Sequence, residues 1–200
     1  MTFTLWGVEV HLGFGFAFLL CVLLTCLNNR ILLYAVLFSL LHECGHLLCD
    51  ACFGEKPARI SFGIFGMAIV RRDDTHLSFR QEICSALAGP AVNLAAAVGF
   101  VCAYGAQKKE WQLLCFAVNS WIFLFQAMPV FSLDGGRAFD AALHRRTDDM
   151  KRIRRTELLV SFLCLSVVMG LGFWVLLYSR YNFTLLLLAV YLLILLFLKC

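Results

Sequence analysis

Charge is what this sequence has least of. Only 15% of its 200 residues are Asp, Glu, Lys or Arg, while 62% are hydrophobic; a soluble domain is nearer half apolar. The mean hydropathy is +0.83. Together these values exclude a water-soluble globule of ordinary composition and leave a polytopic membrane protein. Proline is nearly absent too, with only Pro57, Pro90 and Pro129, so each one is worth locating. No basic segment precedes the first apolar run, and a cleavable signal peptide is therefore not expected. Internal repeats and low-complexity tracts are missing, which excludes a repeat array.

Cysteine, by contrast, is plentiful. Six of the ten, Cys21, Cys26, Cys84, Cys102, Cys115 and Cys164, are scattered through apolar stretches, where a thiol behaves as a small hydrophobe. A reducing cytosolic face makes a disulfide framework unexpected.

Segments near 11–28, 31–53, 82–105, 111–129, 158–178 and 182–198 are long enough to cross about 30 Å of hydrocarbon at about 1.5 Å per residue. All 17 Lys and Arg except Arg30, Lys108, Lys109 and Arg180 then fall on one side. The positive-inside rule makes that side, with both termini, cytosolic. RRTDDMKRIRR (145–155) reads as an anchor to the anionic lipid bilayer. ARISFGIFGMAIV (58–70), β-branched and aromatic with Gly63 and Gly66 between, reads as a hairpin. The expected fold class is thus all-α and polytopic, a single domain over 1–200. It has six transmembrane helices and a short membrane-associated β-hairpin. No nucleic-acid partner is expected.

LLHECGHLLCD (40–50) interrupts this grease with two histidines and a glutamate. Ionisable groups in a membrane span are costly and call for an explanation. On a helix, His42 and His46 are one turn apart and share a face. HECGH fits H-E-x-x-H, in which two imidazoles bind zinc and the glutamate takes a proton from water. A third ligand has two candidates. Cys49 lies seven residues past His42 on nearly the same face. Asp134 lies in MPVFSLDGGRAF (128–139), where Pro129 breaks the helix and Gly135 and Gly136 permit a tight turn. Broken backbone at membrane depth occurs only where protein or water surrounds it, which favours Asp134. His11, Glu9, His76 and His144 read as solvated or interfacial residues. ALAGPAVN, with its small residues and Asn93, reads as architecture for close helix packing.

With HECGH and SLDGGR both in view, the chain resembles the site-2 proteases, the zinc intramembrane metalloproteases. It is most similar to the stage IV sporulation protease subgroup, which has six spans and both termini inside. VEVHLGFGF resembles that subgroup's entry to the first span, and ARISFGIFG its membrane-dipping hairpin. ALAGPAVN resembles its glycine-proline turn, and VNSWIFLFQAMPVFSLDGG its fourth span and exit. The resemblance implies zinc held by His42, His46 and Asp134, with Glu43 as general acid and base. It implies substrate contacts at Asn119 and Gln126 and, on the hairpin, at Ile60, Phe62 and Ile64. Three features depart from the pattern. Gln126 stands where asparagine is usual, Ser132 replaces a common proline, and no CBS-type or PDZ domain is expected.

The implied activity is intramembrane cleavage of a membrane-tethered protein near the cytosolic leaflet of a bacterial cell membrane. In the sporulation subgroup the substrate is a precursor sigma factor, and a regulatory membrane partner is a further expectation. The alternatives are a non-catalytic relative that binds membrane clients and a small transporter. The complete motifs argue against the first, and the convergence of ionisable residues on one place argues against the second.

Overall fold

The computed structural model describes residues 2–5, 8–15, 18, 21, 30–55, 57–63, 66–71, 77–179 and 182–198. Most of the first expected span at 11–28, together with Ile64 and His76, lies outside the described residues. The chain divides into two compact units, Met1–Leu77 with Ala88–Phe123, and Ser78–Leu87 with Leu124–Cys200.

In the first unit, β1 (Thr2–Leu5), β2 (Val8–Leu12), β3 (Pro57–Gly63) and β4 (Gly66–Arg71) form one sheet in that order. β1 and β2 pair antiparallel, β2 and β3 parallel, and β3 and β4 antiparallel. Glu9 lies opposite Arg59 across β2 and β3, and their side chains form an ion pair at 2.8 Å. Both are half-exposed, so the pair marks the register more than it stabilises it. The sequence predicts strand only at 58–70. TFTL and VEVHL also alternate with period two, but they run directly into the apolar stretch and read as its approach.

α1 (Arg30–Cys52) packs on α2 (Phe79–Gln107) through a glycine. A Cβ on Gly45 would come within 2.9 Å of the Ala88 carbonyl oxygen and 3.0 Å of Val92 Cγ2. Only glycine lets the backbones approach this closely, as small residues do between membrane helices. Phe38 of α1 meets Phe100 of α2 edge-on at 5.5 Å. Phe100 in turn meets Trp111 of α3 (Glu110–Gln126) at 6.1 Å, a favoured aromatic geometry. Pro90 does not turn the chain, because α2 runs through it unbroken. It withholds one N–H from the Ala86 carbonyl and no more.

The second unit holds α4 (Asp134–His144), α5 (Met150–Ser179) and α6 (Thr184–Leu198). Its core is Val130, Leu165, Leu192 and Leu196. The Phe131 N–H donates to Ser161 Oγ at 3.0 Å and ties the segment after α3 to α5. Leu163, Val167 and Trp174 on α5 stay largely exposed, an apolar surface suited to lipid. Ser78 and Gln81 cap the start of α2 reciprocally, a capping box.

Two expectations change here. The stretch 130–157 reads as a loop, yet it holds α4 and the first two turns of α5. Asp149 caps α5, its Oδ1 accepting from the N–H groups of Lys151 at 3.0 Å and Arg152 at 3.2 Å. Met, Lys, Arg and Glu are good helix formers, so the basic run continues the apolar helix instead of interrupting it. Nor do Gly135 and Gly136 make a turn after Asp134. Both lie in the first turn of α4, where a Cβ on Gly135 would strike the Ala127 carbonyl and one on Gly136 the Val130 carbonyl. Their role is close approach to the backbone that follows α3.

α1, α2 and α5 are long and apolar enough to cross a membrane. α3 has 17 residues and α6 has 15, short of the roughly 20 that a perpendicular span needs.

Gly136→Ala should therefore lower the thermal unfolding midpoint in detergent, followed by tryptophan fluorescence, with a cost of about 1–3 kcal/mol. Gly170 has nothing within 4 Å of a Cβ, so Gly170→Ala should leave the midpoint unchanged or raise it slightly. Equal effects from the two substitutions would contradict this packing.

Candidate metal centre

The one-turn spacing of His42 and His46 on α1 brings their rings together. Both side chains are buried, with ring centroids 4.9 Å apart and planes at 79°. Their Nε2 atoms stand 3.2 Å from each other. Two nitrogens bound at about 2.0–2.1 Å to a tetrahedral ion would stand about 3.3 Å apart. The pair is therefore already spaced to share a metal.

Which nitrogens are available follows from the polar groups behind them. His42 Nδ1 lies 2.7 Å from Asn93 Oδ1. Asn93 Nδ2 donates to Asn119 Oδ1 at 2.9 Å and to the Phe38 carbonyl at 3.3 Å. Asn119 Nδ2 donates to the Cys115 carbonyl at 2.8 Å. A backbone carbonyl can only accept, so the Cys115 carbonyl fixes Asn119, and Asn119 with Phe38 fixes Asn93. Asn93 Oδ1 must then accept, and His42 Nδ1 must carry the proton. The lone pair of His42 is left on Nε2, the atom that faces His46. A hydrogen-bonded nitrogen behind a ligating one is the usual support of a metal histidine.

Gly89 shapes the opposite wall. A Cβ there would strike His46 Nε2 and come 2.7 Å from His42 Nε2. Gly89 and Asn93 are four apart on α2, so a single helix face supplies both the gap and the orienting amide. From sequence this stretch reads as architecture; the structure adds the contact of Asn93 with His42. The available signal was an asparagine one turn beyond a glycine in an otherwise apolar helix.

The other expected residues lie as follows. Glu43 is half-buried, one residue and about 100° around α1 from His42. Cys49 is half-buried on α1 and, among the described residues, joins no group of three metal donors. Asp134 belongs to the second unit, as the first residue of α4. It is largely buried, with Arg137 Nη1 3.8 Å from its Oδ1. Asn119 is fully buried and engaged with Cys115 and Asn93. Gln126, half-buried, is the last residue of α3. Ile60 and Phe62 lie on β3, which has a neighbour on each side, so the sheet's edges are β1 and β4. His11 lies exposed on β2. His144 Nδ1 donates locally to Asp140, and its ring stacks on Phe79 at 6.1 Å.

No protein-family model matches the chain, and no curated protein does. Among solved structures it is similar to a site-2 protease from Methanocaldococcus jannaschii, with a TM-score of 0.56 and 18% identity. The likeness covers 96% of this chain and 91% of that one. The two share a fold.

A methyl group at position 89 would occupy the space beside both Nε2 atoms, so Gly89→Ala should abolish binding of Co²⁺, read from its visible absorption. Gly99→Ala, on the same helix with nothing within 4 Å of its Cβ, should bind Co²⁺ like the parent. Full binding by Gly89→Ala would remove the histidine pair from the metal site.

Proposed function

We propose that the chain is an intramembrane zinc endopeptidase of the site-2 protease family, closest to the stage IV sporulation subgroup. The observation that carries this reading is the histidine pair: two buried Nε2 atoms 3.2 Å apart, with the His42 lone pair directed by Asn93. A fold shared with a site-2 protease supports it.

His42, His46 and Asp134 offer two imidazole nitrogens and a carboxylate oxygen. That is the donor set of a catalytic zinc with one position open. The chemistry supplied by bound zinc is polarisation of the scissile carbonyl and acidification of a water. Glu43 takes the proton from the water as its oxygen bonds to the carbonyl carbon, and returns it to the amine nitrogen as the C–N bond breaks.

A helical substrate must be unwound before its peptide bond is accessible. β4 supports a docking role by lying at the sheet's edge, where an extended segment can add as another strand. Ile60 and Phe62, on the interior strand β3, and Ile64 are the further substrate contacts of this reading. Gln126, at the end of α3, would meet the substrate near the scissile bond. The substrate is a membrane-tethered regulator such as a precursor sigma factor, cut near the cytosolic leaflet of a bacterial membrane. Six spans with both termini cytosolic and a regulatory membrane partner complete the proposal.

The test pairs two variants in a cell expressing a membrane-tethered reporter. Glu43→Gln should keep zinc and cut at least about 100-fold more slowly. Asp134→Ala should lose both zinc and cleavage. Near-normal turnover in Glu43→Gln would remove its assigned role, and zinc retained in full by Asp134→Ala would remove that carboxylate from the site. A parent protein that holds zinc but cuts nothing would favour the non-catalytic, client-binding alternative.

A further inference from the structure

We propose that Asn119 is a positioning residue for the metal site, acting through Asn93 to hold His42 in the tautomer whose lone pair is on Nε2. This role rests on the reading of His42 and His46 as metal ligands. It differs from the substrate contact that the sequence resemblance implies for Asn119.

The direction of one proton decides which nitrogen His42 can offer a metal. An asparagine amide has two faces of similar shape, an acceptor oxygen and a donor nitrogen. Turned one way, Asn93 accepts from His42 Nδ1–H and leaves Nε2 bare. Turned the other way, it offers an N–H to Nδ1, which must then carry the lone pair, and the proton moves to Nε2. The second state points a hydrogen at the place a metal would occupy. Asn93 is held in the first state by two acceptors on its Nδ2, the Asn119 oxygen at 2.9 Å and the Phe38 carbonyl at 3.3 Å. The shorter of these exists only because Asn119 is itself oriented by the Cys115 carbonyl at 2.8 Å. All three side chains, His42, Asn93 and Asn119, are buried, so water does not supply a substitute. The order of information runs from a backbone carbonyl on α3, through two amides, to a ring on α1.

Burial argues against the substrate reading. Asn119 is 0% exposed, and its carbonyl oxygen and amide nitrogen are both engaged within the protein. A side chain that reads a peptide backbone needs a face turned toward it.

The test uses the full chain in detergent. ¹⁵N spectra of its histidine rings in metal-free protein report the His42 tautomer, and chelator competition reports zinc affinity. The parent should show His42 protonated at Nδ1. Asn119→Ala leaves only the longer bond to the Phe38 carbonyl to hold Asn93, so the second tautomer should appear beside the first and zinc should weaken by roughly 10-fold, the low end of the range for a partner behind a ligand. Unchanged tautomer and affinity in Asn119→Ala would overturn the proposal and leave Asn119 as a hydrogen bond between helices only. Weaker zinc binding in Asn119→Ala with an unchanged His42 tautomer would also overturn it, by showing disturbed packing. If the parent bound no zinc yet the tautomer changed in Asn119→Ala, the hold of Asn119 on the His42 tautomer would stand and the metal reading would fall.

Discussion

The molecule's chemistry depends on a hydrogen bond 2.7 Å long between His42 and Asn93. Imidazole is useful to a metal only through a nitrogen that keeps its lone pair, and in water either nitrogen can. Inside an apolar helix pair the choice must be made by a fixed neighbour. Asn93 makes it, and its own orientation comes from acceptors that cannot be reversed, the Phe38 carbonyl and, through Asn119, the Cys115 carbonyl. A polar chain of this length is costly to bury unless each member is satisfied. Here the members satisfy one another, which lets a membrane helix carry the two histidines.

Glycine supplies the room. Gly45 brings α1 against Ala88 and Val92, and Gly89 leaves open the space beside the two Nε2 atoms. In the second unit Gly135 and Gly136 let the start of α4 lie against the backbone around Ala127 and Val130. These positions do not need unusual dihedral angles; among the described glycines only Gly54 has positive φ. They need the absence of a side chain, because lipid gives apolar helices little reason to associate other than close contact. The histidine pair in the first unit and Asp134 in the second each sit on an element placed by such contacts.

Much of this was legible in the sequence, for identifiable reasons. HECGH announces itself because histidine and glutamate are expensive in a span, and one-turn spacing then dictates a shared face. The long helices follow from apolar length, and α3 ends before Pro129 as the proline requires. Asn93 was harder. Its spacing from Gly89 shows a shared face, but the partner of that face depends on how α2 crosses α1, which no local pattern specifies. The helix through 150–157 was hidden by its charge: Asp149 as cap and the helix formers after it were the better guide. The strands at the N-terminus carried an alternating pattern but lay beside an apolar run that suggested a span.

X-ray absorption at the zinc edge of the purified, zinc-loaded protein would test whether two histidines and a carboxylate, with no thiolate, hold a zinc ion. Nitrogen and oxygen neighbours alone near about 2.0–2.1 Å, with the outer-shell scattering of two imidazole rings, are expected. A sulfur neighbour near about 2.3 Å would bring a cysteine such as Cys49 into the site, and the absence of imidazole scattering would contradict the account outright.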